Sequence, residues 1–267
     1  MFGLGLRYPH HQYVLNDKPK IDFFEIHSEN FIAKGGGSHY FLEQICQHYP
    51  LSFHCVGLSL GSSSGVSKKH ADNIKLLIDK FQPILISDHI SWTNYENLSS
   101  NDLLPLPYTQ ESLAIFCDNV KYVQDLFGRN ILLENPSSYL EFNQSTFAEV
   151  DFINQILANT DAELLLDLNN VFVTCENFGL DAKQYLDNLD ITKTQEIHLA
   201  GHSVYEKNNM QIRIDSHNDF VSDGVIDLFK YLKGKLTRSI PTLLEWDSDI
   251  PEFPVLASEL NRIRSVI

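Results

Sequence analysis

Seven short runs carry the side chains best suited to chemistry: LSFHC with His54, ISDHISW with His89, LLENP with Glu134, LLLDLNN with Asp167, Asn169 and Asn170, EIHLAGH with His198 and His202, RIDSHND with Asp215 and His217, and LLEWD with Glu245. A lone histidine after a strand is ordinarily a core or surface residue. Six or seven metal-capable groups, each closing a short apolar run, instead point to shared coordination of two or three ions. Imidazole and carboxylate without thiolate suit iron, manganese or zinc better than copper(I) or an iron–sulfur cluster. Glu134 comes from a middle run and can offer one oxygen to each of two ions, so it is the expected bridge. Arg7, Glu25, His27, Glu29 and Asn30 crowd the same ends. They are read as partners that orient metal-bound histidines through the second ring nitrogen. Asp88 and His202 read equally well as local hydrogen-bonding groups, and Cys55, one residue after His54, falls on the opposite strand face, in the core.

The elements that must position these groups are strands. Short β-rich runs are expected at Gly3–Arg7, Asp22–Ile26, Leu51–Cys55, Ile84–Ser87, Ile131–Glu134, Glu163–Asp167, Thr194–His198 and Pro241–Trp246. Helical periodicity occupies Lys69–Phe81, Gln110–Phe127, Thr146–Leu157, Asp181–Leu189 and Asp223–Leu236. Runs such as ELLLD and NILLE are apolar on both faces, as in a parallel sheet covered by helices. Eight such units predict a closed (β/α)8 TIM barrel in one domain over residues 1–267, with the strand ends converging on one mouth. Three stretches that break the rhythm, Gly57–Ser67, Ile90–Thr109 and Ala200–Val221, follow strands and are read as substrate-covering elements.

Composition narrows the function. A formal net charge of −15 disfavours nonspecific nucleic-acid binding, and no stretch approaches the apolar length of a membrane span. No secretory signal is visible at the N-terminus, so the expected location is cytoplasmic. The four cysteines are widely spaced with no CxxC pair, which argues for buried thiols rather than a zinc knuckle or a disulfide framework.

The ordered set GLGLR, EIHSENF, LSFHCVGLSLGS, SDHISW, LLENPSSY, LLLDLNNVFV, IHLAGH, DSHNDFV and LLEWD resembles the multinuclear non-heme iron-dependent oxidase family, which includes the iron enzyme of methanobactin biosynthesis. The resemblance spans nearly the whole chain. It implies a barrel related to xylose isomerase and endonuclease IV that holds two or three irons and uses O2 to oxidise cysteine, or another residue, of a ribosomally made precursor peptide. A small partner protein that presents the peptide is also implied. Carried over by motif, His54, His89 and Glu134 would hold one iron. Glu134, Asp167, His198 and Glu245 would hold the next, and Asn170, Asp215 and His217 a third, with Glu134, Asp167 and His198 at the catalytic centre. The same order of motifs also resembles endonuclease IV, a zinc phosphodiesterase. Against that reading, Asn170 stands where the zinc enzyme has a histidine, and the acidic charge suits DNA poorly. A non-catalytic metal-binding protein, the third class, would use a closed coordination shell rather than one open to substrate.

Overall fold

The computed structural model describes residues 1–33, 35–96, 98–208 and 210–266. In chain order the strands are β1 (Phe2–Gly5), β2 (Phe23–His27), β3 (Leu51–His54), β4 (Leu85–His89), β5 (Trp92–Tyr95), β6 (Leu98–Leu104), β7 (Leu132–Glu134), β8 (Glu163–Asp167), β9 (Thr194–Leu199), β10 (Ser203–Lys207), β11 (Met210–Ile214) and β12 (Thr242–Leu244). The helices are α1 (His11–Asp17), α2 (Gly37–Ile45), α3 (Lys68–Phe81), α4 (Gln110–Phe127), α5 (Glu149–Asn159), α6 (Leu168–Phe178), α7 (Ala182–Asn188), α8 (Asp223–Lys235) and α9 (Phe253–Arg264). Strands β1, β2, β3, β4, β7, β8, β9 and β12 pair in parallel and close, β12 returning to β1. This is the barrel expected from the sequence. The remaining strands form two antiparallel hairpins, β5–β6 and β10–β11, within two of the three stretches that break the βα rhythm.

Alternation along each strand separates two interiors. Outward residues such as Leu133, Leu164 and Leu166 join the helix-facing core with Ile74, Leu77 and Ile78 of α3 and Phe116 and Val120 of α4. Cys55 belongs to that outer core. Inward residues Leu132, Leu165 and Leu243 are equally buried but fill the barrel itself. Helix boundaries follow ordinary capping. Ser67 accepts from the His70 N–H at the start of α3, and Thr109 and Ser112 form a reciprocal capping box on α4, which ends at Gly128 in the left-handed region.

The GLGLR run has a specific packing role. A Cβ on Gly3 would lie 2.5 Å from the Phe23 ring, and one on Gly5 would lie 2.9 Å from the Arg7 guanidinium. The two glycines therefore leave room for Phe23 to plug the lower end of the barrel and for Arg7 to fold back over β1. Gly201 is tighter still, because its added Cβ would meet the Asp219 carbonyl oxygen at 2.1 Å. Its own carbonyl accepts from the His217 N–H at 3.1 Å, and His217 sits at φ 45°, a strained conformation for a non-glycine residue.

Gly201→Ala should therefore destabilise the protein by on the order of 2–4 kcal/mol, since backbone rather than a flexible side chain must give way. Urea unfolding of the purified variant measures this, and an unchanged midpoint would contradict the packing argument.

Candidate metal centre

The closed barrel brings the ends of β2, β3, β4, β7, β8, β9 and β12 to one mouth. There His27, His54, His89, Glu134, Asp167, His198 and Glu245 converge, with Arg7 following β1. Asp215 and His217 reach the same cavity from the loop after β11. The cavity, about 550 Å3, has Leu103, Leu104, Pro105, Leu140 and Ile214 on its walls and His54, His89, Glu134, Asn170 and Glu245 among its polar lining.

Glu134 is the centre of the arrangement. Its Oε2 lies 3.3 Å from His54 Nε2 and 3.3 Å from His89 Nε2, and the two imidazole nitrogens are themselves 3.3 Å apart. Ligands held about 2.0–2.1 Å from a tetrahedral ion are separated by about 3.3–3.4 Å, so this triangle has the size of one face of a coordination shell. Glu134 also groups with Asp167 and His198, and Asp167 groups with His217 and Glu245, each set having ligand atoms within 4.8 Å of one another. Glu134 and Asp167 thus each belong to two sets, as bridging carboxylates would.

Several atoms aimed into the cluster are buried without a hydrogen-bond partner: Glu134 Oε2, Asp167 Oδ2 and Asn170 Oδ1. Burying such atoms unpaired is costly, and a cation would satisfy them together. Asn170 Nδ2 donates to Glu134 Oε1 at 3.1 Å and to the Asn135 carbonyl at 3.0 Å, which turns its unpaired oxygen toward the cavity. Asp167 uses its other oxygen to accept from the Asn170 N–H at 2.7 Å, capping α6. Asp215 accepts from Asn169 Nδ2 at 2.6 Å and lies 2.6 Å from His217 Nε2. His217 Nδ1 is 3.4 Å from Glu245 Oε2, so His217 leans on the central pair as well as on Asp215. The resemblance grouped it only with Asn170 and Asp215.

The electrostatics match a cluster short of positive charge. Arg7 is the sole guanidinium or ammonium paired with these carboxylates among the described residues, through Asp247 and, at 3.5 Å, Glu245. Burial pushes Glu134 up to about 7 despite the opposing charges of His89 and His198. Burial, then the charges of Glu134 and Asp215, push Asp167 well above the usual carboxylate range. His54 is driven well below the usual histidine range by burial and by His89. Burial also opposes the charge on His89, yet Glu134 and Asp88 raise it to about 9. In Glu245 the charges of His217 and His198 overcome burial and hold the carboxyl well down.

Asp88 accepts from the backbone N–H groups of Leu58 and His89 at 2.9 and 2.6 Å, and His202 bonds Asn169 Oδ1 at 2.8 Å, so both engage local partners. Four polar residues at the site were not singled out from the sequence. Asp247 salt-bridges Arg7, and Ser52, Ser87 and Glu196 lie below the mouth inside the barrel. Burial, followed by the charge of Glu25, pushes Glu196 well above the carboxylate range.

A family model described as RiPP precursor modification enzyme MbnB/TglH/ChrH matches residues 1–267. The chain belongs to that family. MbnB/TglH/ChrH enzymes act on precursors of RiPPs, ribosomally synthesised and post-translationally modified peptides. Among relatives, a UPF0276 protein of Psychromonas ingrahamii is 48% identical over 97% of this chain and 92% of its own length. One of Vibrio vulnificus is 43% identical over 99% and 91%. Among solved structures, a xylose isomerase domain containing protein of Salmonella typhimurium LT2 superposes with a TM-score of 0.64 at 12% identity, covering 99% of this chain and 96% of the other. A D-tagatose 3-epimerase-like protein gives 0.61 at 14% identity, covering 99% and 98%. These place the MbnB/TglH/ChrH member in the xylose isomerase-like barrel fold. None of its described helices is long and apolar enough to cross a membrane.

Two outcomes follow from the geometry. Because His89 carries its proton up to about 9 in the metal-free protein, an ion must displace that proton to bind. Metal uptake at pH 7 should release protons, and apparent affinity should rise with pH from neutrality toward 9, since His198 and His217 are also held well above the usual histidine range by neighbouring carboxylates. Calorimetry in buffers of different ionisation enthalpy reads both. Separately, Glu134→Gln should lose more than one metal equivalent, since it deletes a ligand and leaves two cations less screened from each other. Elemental analysis retaining every equivalent would remove Glu134 as the bridge.

Proposed function

We propose that this protein is a multinuclear iron-dependent oxidase that uses O2 to modify cysteine, or another residue, of a ribosomally made precursor peptide. The observation that carries this reading is the Glu134-centred set of imidazoles and carboxylates at the floor of an apolar-walled cavity, in a chain of a RiPP precursor modification family. His54, His89, Glu134, Asp167, Asn170, His198, Asp215, His217 and Glu245 would hold two or three irons, with Glu134, Asp167 and His198 nearest the chemistry. The donor set fits: it is all nitrogen and oxygen, and its buried unpaired atoms face inward. Bound iron supplies redox chemistry with dioxygen as the oxidant.

The chain's own residues do the rest. Leu103, Leu104, Pro105, Leu140 and Ile214 exclude water and seat the side chain of the peptide. Arg7 balances the charge of Glu245 and Asp247, which keeps that edge from attracting a further cation. The peptide reaches the site with a small presenting protein as its companion, and the protein works in the cytoplasm as one (β/α)8 domain.

The test crosses three variables: iron or zinc, air or argon, and a Cys-bearing precursor peptide or an abasic DNA duplex. Oxygen uptake coupled to a change in peptide mass, with iron in air alone, is expected. Cleavage of the duplex under argon with zinc would overturn the reading in favour of an endonuclease IV-like phosphodiesterase, whose affinity should fall steeply with salt.

A further inference from the structure

The residue two positions before each mouth residue shares its strand face and lies one layer deeper in the barrel. Below His27, His54, His89 and His198 stand Glu25, Ser52, Ser87 and Glu196; below Glu134, Asp167 and Glu245 stand Leu132, Leu165 and Leu243. Every mouth histidine on a barrel strand thus has a polar residue beneath it, and every mouth carboxylate on a barrel strand has leucine. All seven floor residues are at most 2% exposed. Polar groups inside a barrel are costly, so their alignment with one ligand type demands a cause. Chemistry supplies it. A carboxylate can bind an ion with no further partner, whereas a neutral imidazole that gives one nitrogen to an ion carries a hydrogen on the other, and that hydrogen needs an acceptor.

For His54 and His198 the contacts fit this division of labour and run between strands. His54 points Nε2 into the triangle with His89 and Glu134, and its Nδ1 lies 2.7 Å from Ser87 Oγ on the next strand. His198 is turned the other way. Its Nδ1 is 3.1 Å from Glu245 Oε2 at the mouth, and its Nε2 is 3.4 Å from Glu25 Oε1 in the floor. Both of those floor-side atoms are buried and have no other hydrogen-bond partner. Ser52 Oγ lies 3.2 Å from an oxygen of Glu25 and 3.2 Å from one of Glu196, tying the two carboxyl groups together across the barrel.

We infer that Glu25 and Ser87 are positioning residues that set opposite ring orientations in two proposed metal ligands: Ser87 holds His54 by Nδ1 so that Nε2 faces the ions, and Glu25 holds His198 by Nε2 so that Nδ1 faces them. Ser52 and Glu196 brace Glu25. The inference rests on the proposed metal centre only in taking His54 and His198 as ligands. It does not depend on iron, oxygen or the peptide.

The test uses the full chain labelled with 15N-histidine and loaded with zinc alone, a diamagnetic probe. Long-range 1H–15N correlation distinguishes a ring bound through Nδ1 from one bound through Nε2. His54 is expected to bind through Nε2 and His198 through Nδ1, each with its remaining N–H protected from exchange. Glu25→Leu should weaken zinc at His198 by about 10- to 100-fold while leaving the His54 pattern intact, and Ser87→Ala should do the converse. Glu25→Gln keeps an acceptor oxygen and should restore the His198 pattern. Binding of His198 through Nε2, absence of zinc at either histidine, or a Glu25→Leu protein with unchanged affinity and spectrum would overturn the assignment. Should Glu25→Leu not fold, the wild-type spectrum decides on its own. Correct ring orientations in a protein that oxidises no peptide would sink the oxidase reading and leave this one standing.

Discussion

Charge compensation in a dry interior is the constraint on which the rest of this protein depends. Glu25, Glu134, Asp167, Glu196 and Glu245 are each no more than 3% exposed, and Arg7 is the one guanidinium in contact with any of them among the described residues. Unpaired charges cannot persist in such a place, so they must be protonated, paired or metal-bound. The folded chain shows the first two remedies at once. His89, His198 and His217 draw protons toward themselves while His54 stays neutral, and Glu134, Asp167 and Glu196 are pushed toward neutrality. Divalent ions would replace those protons and pair the unsatisfied oxygens in one step. The closed barrel is the frame that makes such crowding tolerable, because its outer core is continuous and does not rely on the polar centre for packing.

Much of this frame was legible in the sequence because barrel strands are buried on both faces. Runs such as ELLLD cannot alternate, and a carboxylate or imidazole at their ends stands out against them. The hairpins β5–β6 and β10–β11 were hidden for the opposite reason. Leu98, Tyr205 and Met210 are exposed on two-stranded ribbons whose alternation has no core to report, so only their length and placement after strands marked them. Helix α6 also escaped notice. It begins directly after Asp167, and its first turn, Leu168–Asn169–Asn170, is taken up by polar groups serving the site, which masks the apolar stripe of Val171 and Cys175.

The candidate ligands were read from residue type and position, but their grouping was not. Which oxygen of Glu134 meets which imidazole depends on how adjacent strands stagger, and strand registers shift between Leu164 and Leu165 against β9. The loop that carries His217 is set by a backbone approach at Gly201 that no periodicity reveals. The deeper polar layer did leave a trace. The triplets EIH, SFH, SDH and EIH contrast with LLE, LLD and LLE. That contrast becomes readable only when both residues of each pair are known to point inward.

The plug formed by Phe23 against Gly3 has a topological consequence. With the lower end filled by that ring and by Leu132, Leu165 and Leu243, the central chamber is a blind well rather than a tunnel. A linear polymer cannot thread through a well. Any peptide whose reacting side chain reaches the cluster must enter and leave by the same rim, so wherever the backbone follows an internal side chain into the well it has to bend, with both flanking arms running back outward. A terminal residue needs only one arm. For backbone drawn into the well, its shape would sort peptide positions by how readily the chain reverses direction around them, independently of which side chain reacts.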